Sequence, residues 1–415
     1  MSKPKTIVPI KQPQDLHAVM NGFVESFESQ LREAARRLVY GIFEEEVQAL
    51  AGDLYGRGRD PKSGIYRAGS DPGTVLAAGQ RLAVRKPRLK ADGTEVPLNS
   101  YKAMKSMALL TPKIMSCMVR GVSTRDYGEL LDEVAGGLGL SKSTVSRAFI
   151  KGSKQCLEQL QSRKFNDRVF CAVMVDAIHF AGRSVIVAVG IDGTGSKVML
   201  GLREGNTESA TVCKDLLQNL IDRGLPQDPS KPFLFVIDGG KGLRRAIKDV
   251  FGEEFPVQRC WIHKARNIRD YLPEQAHWDF QRRWAYLRKL ENYNDAKAEV
   301  AKLRAWLYRS TPSAAASLDE AGDELLTAVR MKATGPFLRR TLTTTNLIEG
   351  IFSHVRYRSF RVKNWRSAGD QIQRWVATSL LHAEKRCNRI MGYQGCTELV
   401  ERLHSMHLQP KAKAA

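Results

Sequence analysis

The run Val169-Phe170-Cys171-Ala172-Val173-Met174-Val175 closes on Asp176, so a stretch of apolar residues long enough for a buried strand ends on a carboxylate. Outward from it, Arg183 to Ile191 and Lys197 to Leu202 have the same texture, and Asp192-Gly193-Thr194-Gly195 between them is turn chemistry. Three successive antiparallel strands are predicted. Glu208 to Arg223 then carries Ala210, Val212, Cys213, Leu216, Leu217 and Leu220 at helical spacing, and Gly224 stops it. Phe233 to Ile237 is a short apolar run of the fully buried kind, and it too ends on an acid, Asp238.

Strand, strand, strand, helix, strand is the first half of a ribonuclease-H-like core, an α/β fold on a mixed sheet. In such a sheet the first and fourth strands end on one edge, so Asp176 and Asp238 are expected as neighbours although 62 positions apart. A third acid, Glu349, falls on a last long helix, Leu347 to Tyr357, introduced by Thr343 to Asn346. Two Asp and one Glu suit a hard cation such as Mg²⁺, whereas nitrogen and sulfur ligands would point to zinc. Phosphodiester cleavage needs an activated water and a stabilised leaving oxygen, and a pair of divalent ions roughly 3.5–4 Å apart supplies both. The acids differ in what else would explain them. Asp176 is costly to leave unpartnered beside Val173-Met174-Val175; Asp238-Gly239-Gly240 also reads as a turn; Glu349 alone also reads as a solvated helix charge. For Asp192 and Glu208 a turn and a helix N-terminus are sufficient reasons.

The charge balance sets the partner. With 65 Lys and Arg against 44 Asp and Glu the chain carries +21, a surplus that attracts polyanions, nucleic acid above all. At 415 residues, two or more domains are expected. The longest apolar runs are strand-sized, so no membrane span or signal peptide is predicted. Seven Cys without paired spacing read as reduced thiols. Together these point to a cytoplasmic, nucleoid-associated protein.

The rest of the chain divides by texture. Residues 1–55 form an N-terminal helical region, with 1–12 disordered and Leu16 to Leu50 amphipathic. Residues 56–100 are a basic loop, Gly56 to Ser70, and a small β element in which Gln80 to Pro87 is a strand and Ala91-Asp92-Gly93 a turn. In 101–165, Ser123 to Val134, the Gly136-Gly137-Leu138-Gly139 break and the Ser-capped stretch from Leu140 to Arg147 make a helix-turn-helix pattern. It would project Lys142, Ser143, Ser146 and Arg147 toward DNA; a helical hairpin with a solvated face is the alternative. Residues 166–260 are the first part of the core and 261–334 a helical insertion, with no strand candidate from Trp261 to Val329. Its Trp278, Trp284 and Trp306 read as helix core. Residues 335–385 bring back the core with Glu349, and 386–415 fade into a basic tail.

Lys241, Arg244, Arg245, Arg259, Lys264, Arg266 and Arg269 follow the second Asp, and Arg356, Arg358 and Arg361 follow Glu349. Both clusters can hold backbone phosphates beside the acids. Cys260 and His263 stand at i and i+3; a zinc site would need two more ligands, and no second pair has matching spacing.

Val175-Asp176-Ala177, Gly190-Ile191-Asp192-Gly193 with Gly201 following, Ile237-Asp238-Gly239 before a basic helix, Cys260-Trp261-Ile262-His263 and Thr345-Asn346-Leu347-Ile348-Glu349, in that order, resemble the Mutator-type transposases of bacterial insertion sequences. The resemblance spans roughly Val173 to Arg366 and is looser in the N-terminal third. It implies a ribonuclease-H-like catalytic domain with an all-helical insertion, in which Asp176, Asp238 and Glu349 bind two Mg²⁺ ions, Mn²⁺ being a possible substitute. It also implies an enzyme that recognises the terminal inverted repeats of its element in double-stranded DNA, frees 3′-hydroxyls and joins them to target DNA. Such an enzyme is expected to act as a homodimer or higher oligomer. Cys260 and His263 match the signature pair and, with Asn346, are expected to support the site. Two other readings stay open: a non-catalytic DNA-binding regulator built on Ser123 to Ile150, and another nuclease of the same fold.

Overall fold

The computed structural model describes residues 13–52, 64–77, 80–105, 111–120, 142–180, 182–205, 209–332, 335–360, 362, 364–366 and 370–406. The chain divides into two compact units, Met1–Gly152 and Ser153–Ala415.

In the first unit a long helix, α1 (Pro13–Ala51), lies on a three-stranded antiparallel sheet of β1 (Ile65–Ala77), β2 (Gln80–Ala91) and β3 (Thr94–Val96), followed by α2 (Asn99–Lys105) and α3 (Thr111–Val119). Ala35, Val39 and Phe43 recur every four residues, so they share one face of α1, and that face is buried against Val75, Leu82 and Val84. Glu46 accepts hydrogen bonds from the Asn99 and Ser100 amides at 2.7 and 2.9 Å, which caps the start of α2. The expected loop from Gly56 to Ser70 becomes strand from Ile65 onward. β1 is an edge strand with a register shift between Arg67 and Ser70; its Pro72 is tolerable there, so its order comes from pairing with β2 rather than from its own composition. The second helix of the expected helix-turn-helix is present as α4 (Lys142–Ser162), with Ser146 and Arg147 exposed. Residues 123–141 and the side chains of Lys142 and Ser143 lie outside the described residues.

The second unit is built on a five-stranded mixed sheet of β4 (Phe170–Phe180), β5 (Arg183–Asp192), β6 (Lys197–Gly205), β7 (Leu234–Ile237) and β8 (Val257–Arg259), in the order β6-β5-β4-β7-β8. β4, β5 and β6 are antiparallel neighbours, while β7 runs parallel to β4 and β8 parallel to β7. The apolar run in β4 is continuous because both faces are buried. Val173 and Val175 face α5 (Ala210–Asp222) and α6 (Lys241–Phe251). Ala172 and Met174 face the other way, among residues of the chain's last helix. On that second face α4, α13 (Asn346–Ser359) and α14 (Gln371–Glu384) cover Val185, Val187 and Val189 of β5. Gly190 and Gly201 sit inside this packing: a Cβ on Gly190 would lie 2.6 Å from the Phe170 ring, and one on Gly201 2.8 Å from the Arg223 guanidinium. Asp192 serves its turn, its Oδ1 accepting from the Thr194 and Ser196 amides at 2.9 Å each. Glu208 lies outside the described residues.

Between β8 and Val329 no strand interrupts a series of helices joined by short turns: α7 (Trp261–Arg269), α8 (His277–Leu287), α9 (Tyr293–Ser310), α10 (Pro312–Ala321), then a 3₁₀ turn and α11 (Thr327–Arg330). These helices share a core of their own, including Trp261, Phe280, Trp284, Leu303 and Leu318. Trp284 is buried and Trp306 half-buried as expected of core residues, but Trp278 is exposed, with the Arg282 guanidinium 5.1 Å above its ring. α12 (Pro336–Leu342) then leads back to α13. The stretch expected as a basic tail contains a packed helix: α15 (Cys396–Met406) buries Cys396, Leu399 and Leu403 against Cys171, Ala172 and Met174. Its apolar spacing of three and four residues, Cys396, Leu399, Leu403, was masked by the basic residues around it. Among the described residues no helix is long and apolar enough to cross a membrane.

Candidate functional site

The parallel pairing of β4 with β7 sets Val175 beside Ile237 as its last pair. The next residue on each strand is an aspartate, so Asp176 and Asp238 are neighbours where the two strands point the same way. Each is held by local backbone: Asp176 Oδ1 accepts from the Ala177 amide at 2.8 Å, and Asp238 Oδ1 from the Gly240 amide at 2.9 Å. Burial pushes the Asp176 carboxyl up to about 7, with further upward pressure from the charges of Asp238 and Glu349 and a downward pull from His263. Two strands and a helix thus bring the three acids into one electrostatic neighbourhood.

Gly239 turns the chain between Asp238 and α6 at a φ of +112°, a region that L side chains rarely enter. The Arg259 guanidinium fills the space where its Cβ would be, 2.3 Å from the nearest nitrogen.

Glu349 lies on the first turn of α13 and its Oε1 is 3.2 Å from His263 Nε2 on α7. The two helices are joined at their starts, because the Trp261 amide donates to the Thr343 carbonyl at 2.8 Å. Thr345 is the hub. Its amide and hydroxyl both lie 3.4 Å from Cys260 Sγ, and its hydroxyl is 3.3 Å from His263 Nδ1 and 3.4 Å from Glu349 Oε1. The hydrogen bond to Cys260, with the negative charges of the thiolate, Asp176 and Glu349, raises His263 to about 9 despite burial. Burial opposes ionisation of the Cys260 thiol, yet hydrogen bonds from His263 and Thr345 hold it below its ordinary value. Cys260 is itself pinned to the sheet, its amide donating to the Ile237 carbonyl at 2.8 Å. Asn346, by contrast, is exposed at the helix start.

Among the described residues no group of three His, Cys, Asp or Glu side chains is drawn together tightly enough to hold a metal ion as it stands. The donor set nevertheless suits a hard cation, since Mg²⁺ needs only one or two carboxylates beside water and substrate phosphate. Asp176 and Asp238 offer that pair.

The basic residues divide into two groups. Lys264 is buried with its ammonium on Glu320, and Arg259 pairs with the same carboxylate at 2.6 and 2.8 Å. Arg244 is ion-paired to Glu324, and Arg358 is buried with its guanidinium on the His354 carbonyl at 3.1 Å. These four are spent within the fold. Lys241, Arg266 and Arg356 are exposed, and Arg245 has only a 3.7 Å ion pair to Asp249 at the surface. Arg266 and Arg269, with Arg288, line a cavity of about 410 Å³ between α7 and α8. Arg361 lies outside the described residues. Thr345 and Glu320 escaped sequence reasoning; Thr345 stood inside the signature quoted above, but nothing local marks a threonine as a hub.

Fold and site define a mixed α/β protein with an acidic site at the ends of adjacent parallel strands. A profile of the family described as "Transposase, Mutator family" matches residues 12–384. The chain belongs to that family of transposases. The transposase for insertion sequence element ISRM5 of Rhizobium meliloti (strain 1021) is 29% identical over 346 residues, 80% of this chain and 82% of that protein. The transposase for IS6120 of Mycolicibacterium smegmatis is 29% identical over 248 residues, 58% of this chain and 74% of its own length. The transposase for ISRM3 of Rhizobium meliloti (strain 1021) is 28% identical over 302 residues, 70% of this chain and 72% of that protein.

Proposed function

We propose that this transposase cuts DNA at the ends of an insertion sequence and joins the freed 3′-hydroxyls to target DNA, with Asp176, Asp238 and Glu349 as its catalytic carboxylates on a ribonuclease-H-like core. The observation that carries the reading is the register of β4 and β7, which makes two aspartates neighbours one step beyond Val175 and Ile237. The strand order, with three antiparallel strands and two added parallel, supports the choice of core. Two Mg²⁺ ions, or Mn²⁺ in their place, held by Asp176 and Asp238 with Glu349 completing the set, would supply water activation and stabilisation of the leaving oxygen.

The chain's own groups do the rest. Asp176 and Asp238 are fixed by neighbouring amides before substrate arrives, which lowers the cost of organising them. His263 and Thr345 orient the Glu349 carboxylate. Exposed Lys241, Arg245, Arg266 and Arg356 would hold backbone phosphates, and Ser146 and Arg147 on α4 would contact the duplex, with Lys142 and Ser143 as expected from the sequence. Duplex DNA carrying the element's ends, incubated with Mg²⁺, tests the reading: Asp176→Asn and Asp238→Asn should each lower strand cleavage by 1,000-fold or more while DNA binding persists. Undiminished cleavage by either variant rules the assignment out.

A further inference from the structure

We propose that Tyr357 and Phe360, at the far end of the helix that carries Glu349, form a stacking platform for unpaired bases of the DNA strand beside the cut. The proposal rests on Glu349 being a catalytic carboxylate, and it adds the state of the DNA held there. α13 turns its inner face to the core, where Ile348, Ile351, Phe352 and Val355 are buried. Its outer face runs Glu349, Ser353, Arg356, Phe360, at steps of four, three and four, which is one side of a helix. Phe360 follows the last turn and keeps helical backbone, with φ −60° and ψ −26°. Tyr357 stands beside this line. The rings of Tyr357 and Phe360 are stacked, their centroids 6.1 Å apart and their planes 28° from parallel, and the two residues are 66% and 58% exposed. Single exposed aromatics are ordinary; a stacked pair on the outer face of this helix is not explained by the core, which the opposite face already fills.

The charge around the pair selects the occupant. From Gly350 to Arg366 the chain has five Arg and Lys and no Asp or Glu, and exposed Arg356 stands between Glu349 and the rings along the helix. An apolar protein surface docking here would have to desolvate that charge, whereas a DNA strand matches it with a phosphate. The rings decide which form of DNA. Within a duplex each base face is covered by its neighbours, so only an unpaired or terminal base has a face to give to an aromatic side chain. At about 1.5 Å per residue, Tyr357 and Phe360 lie about 12 and 16 Å beyond Glu349 along the helix. With bases rising about 3.4 Å each, that places the stacked base roughly three to five nucleotides from the scissile phosphate.

Fluorescence of 2-aminopurine, which is quenched by stacking, provides the test. The probe is a duplex carrying the element's end, unpaired over the six nucleotides next to the cleavage point, with 2-aminopurine at one of these positions at a time. It is bound to the full chain without divalent cations, so that nothing is cut. Quenching is expected at one or more positions three to five nucleotides from the cut. Tyr357→Leu with Phe360→Leu should abolish it and weaken binding to this DNA about tenfold, while affinity for the fully paired duplex stays within about twofold. Tyr357→Phe should keep the quenching. Circular dichroism and paired-duplex affinity show whether the double variant is folded; if it is not, Tyr357→Leu alone is read in the same way. Absence of quenching at every position, or an equal loss on paired and unpaired DNA, overturns the platform. So does a double variant that binds unpaired DNA normally but changes its sedimentation, which would make this face a protein contact. Cleavage is scored separately, so a failure of the carboxylate assignment leaves full cutting by Asp176→Asn, and a failure of the platform leaves 2-aminopurine unquenched.

Discussion

Asp176 shows how one carboxyl links site and stability. Its pKa is raised from an ordinary 3.8 to about 7, chiefly by burial. The folded protein therefore binds this proton more tightly than the unfolded chain, and stability declines as pH rises from about 4 to about 7, staying low above that. Asp176→Asn removes the ionisation, so without divalent cations the variant should melt several degrees above the parent at pH 8, the gap closing near pH 4. Identical melting curves at both pH values would contradict the burial of this carboxyl. Thr345 makes a second case, since it touches Cys260, His263 and Glu349 at once. Thr345→Val keeps the shape and loses the hydroxyl; cleavage is expected to fall tenfold or more, and Thr345→Ser should recover most of it. A loss that serine does not repair would mean that packing, not the hydroxyl, is what matters.

Among the elements, α10 has a role that its sequence conceals. Its Glu320 is the shared partner of Lys264 on α7 and Arg259 on β8, both nearly fully buried. Removing that partner's charge leaves buried Lys264 with only the Ser317 carbonyl and buried Arg259 with a 3.6 Å ion pair to Glu324, a penalty moderated because Glu320 is itself partly exposed. Glu320→Gln is accordingly expected to cost about 2 kcal/mol in chemical denaturation, and more than Asp319→Asn, whose partner Arg304 is at the surface. The turn after β7 is the other sensitive element. Gly239→Ala must adopt a φ of +112° and displace the Arg259 guanidinium, so a loss of about 3 kcal/mol or more is expected. A Gly239→Ala protein as stable as its parent would show that the turn relaxes freely.

For the molecule as a whole, a net charge of +21 makes DNA binding a matter of counterion release. Affinity for duplex lacking the element's ends should fall steeply with salt, and Arg266→Ala with Arg356→Ala should flatten that dependence by about two charges. Arg358→Ala should leave the slope unchanged and lower stability instead, because Arg358 is buried. The C-terminal helix is part of the same whole. Leu399 is fully buried against the sheet, and Leu399→Ala is expected to cost roughly 2–5 kcal/mol.

What could be read along the chain was what local chemistry repeats. The apolar runs ending at Asp176 and Asp238, the Asp192 turn and the helix broken by Gly224 each announce themselves within a few residues, so the strands, their order of type and two of the three acids were legible. β8 was not, because Val257-Gln258-Arg259 is too short and too polar to signal a strand; it forms because β7 offers a free parallel edge and Gln258 finds Leu325 and Ala328 as partners. Which arginines and lysines remain available to DNA was likewise hidden, since a cation is neutralised by whatever carboxylate the fold brings to it from far along the chain. The same holds for Glu349. Its place beside His263, and the hub at Thr345, exist only because α7 and α13 start side by side, a contact between residues more than 80 positions apart that no local pattern encodes.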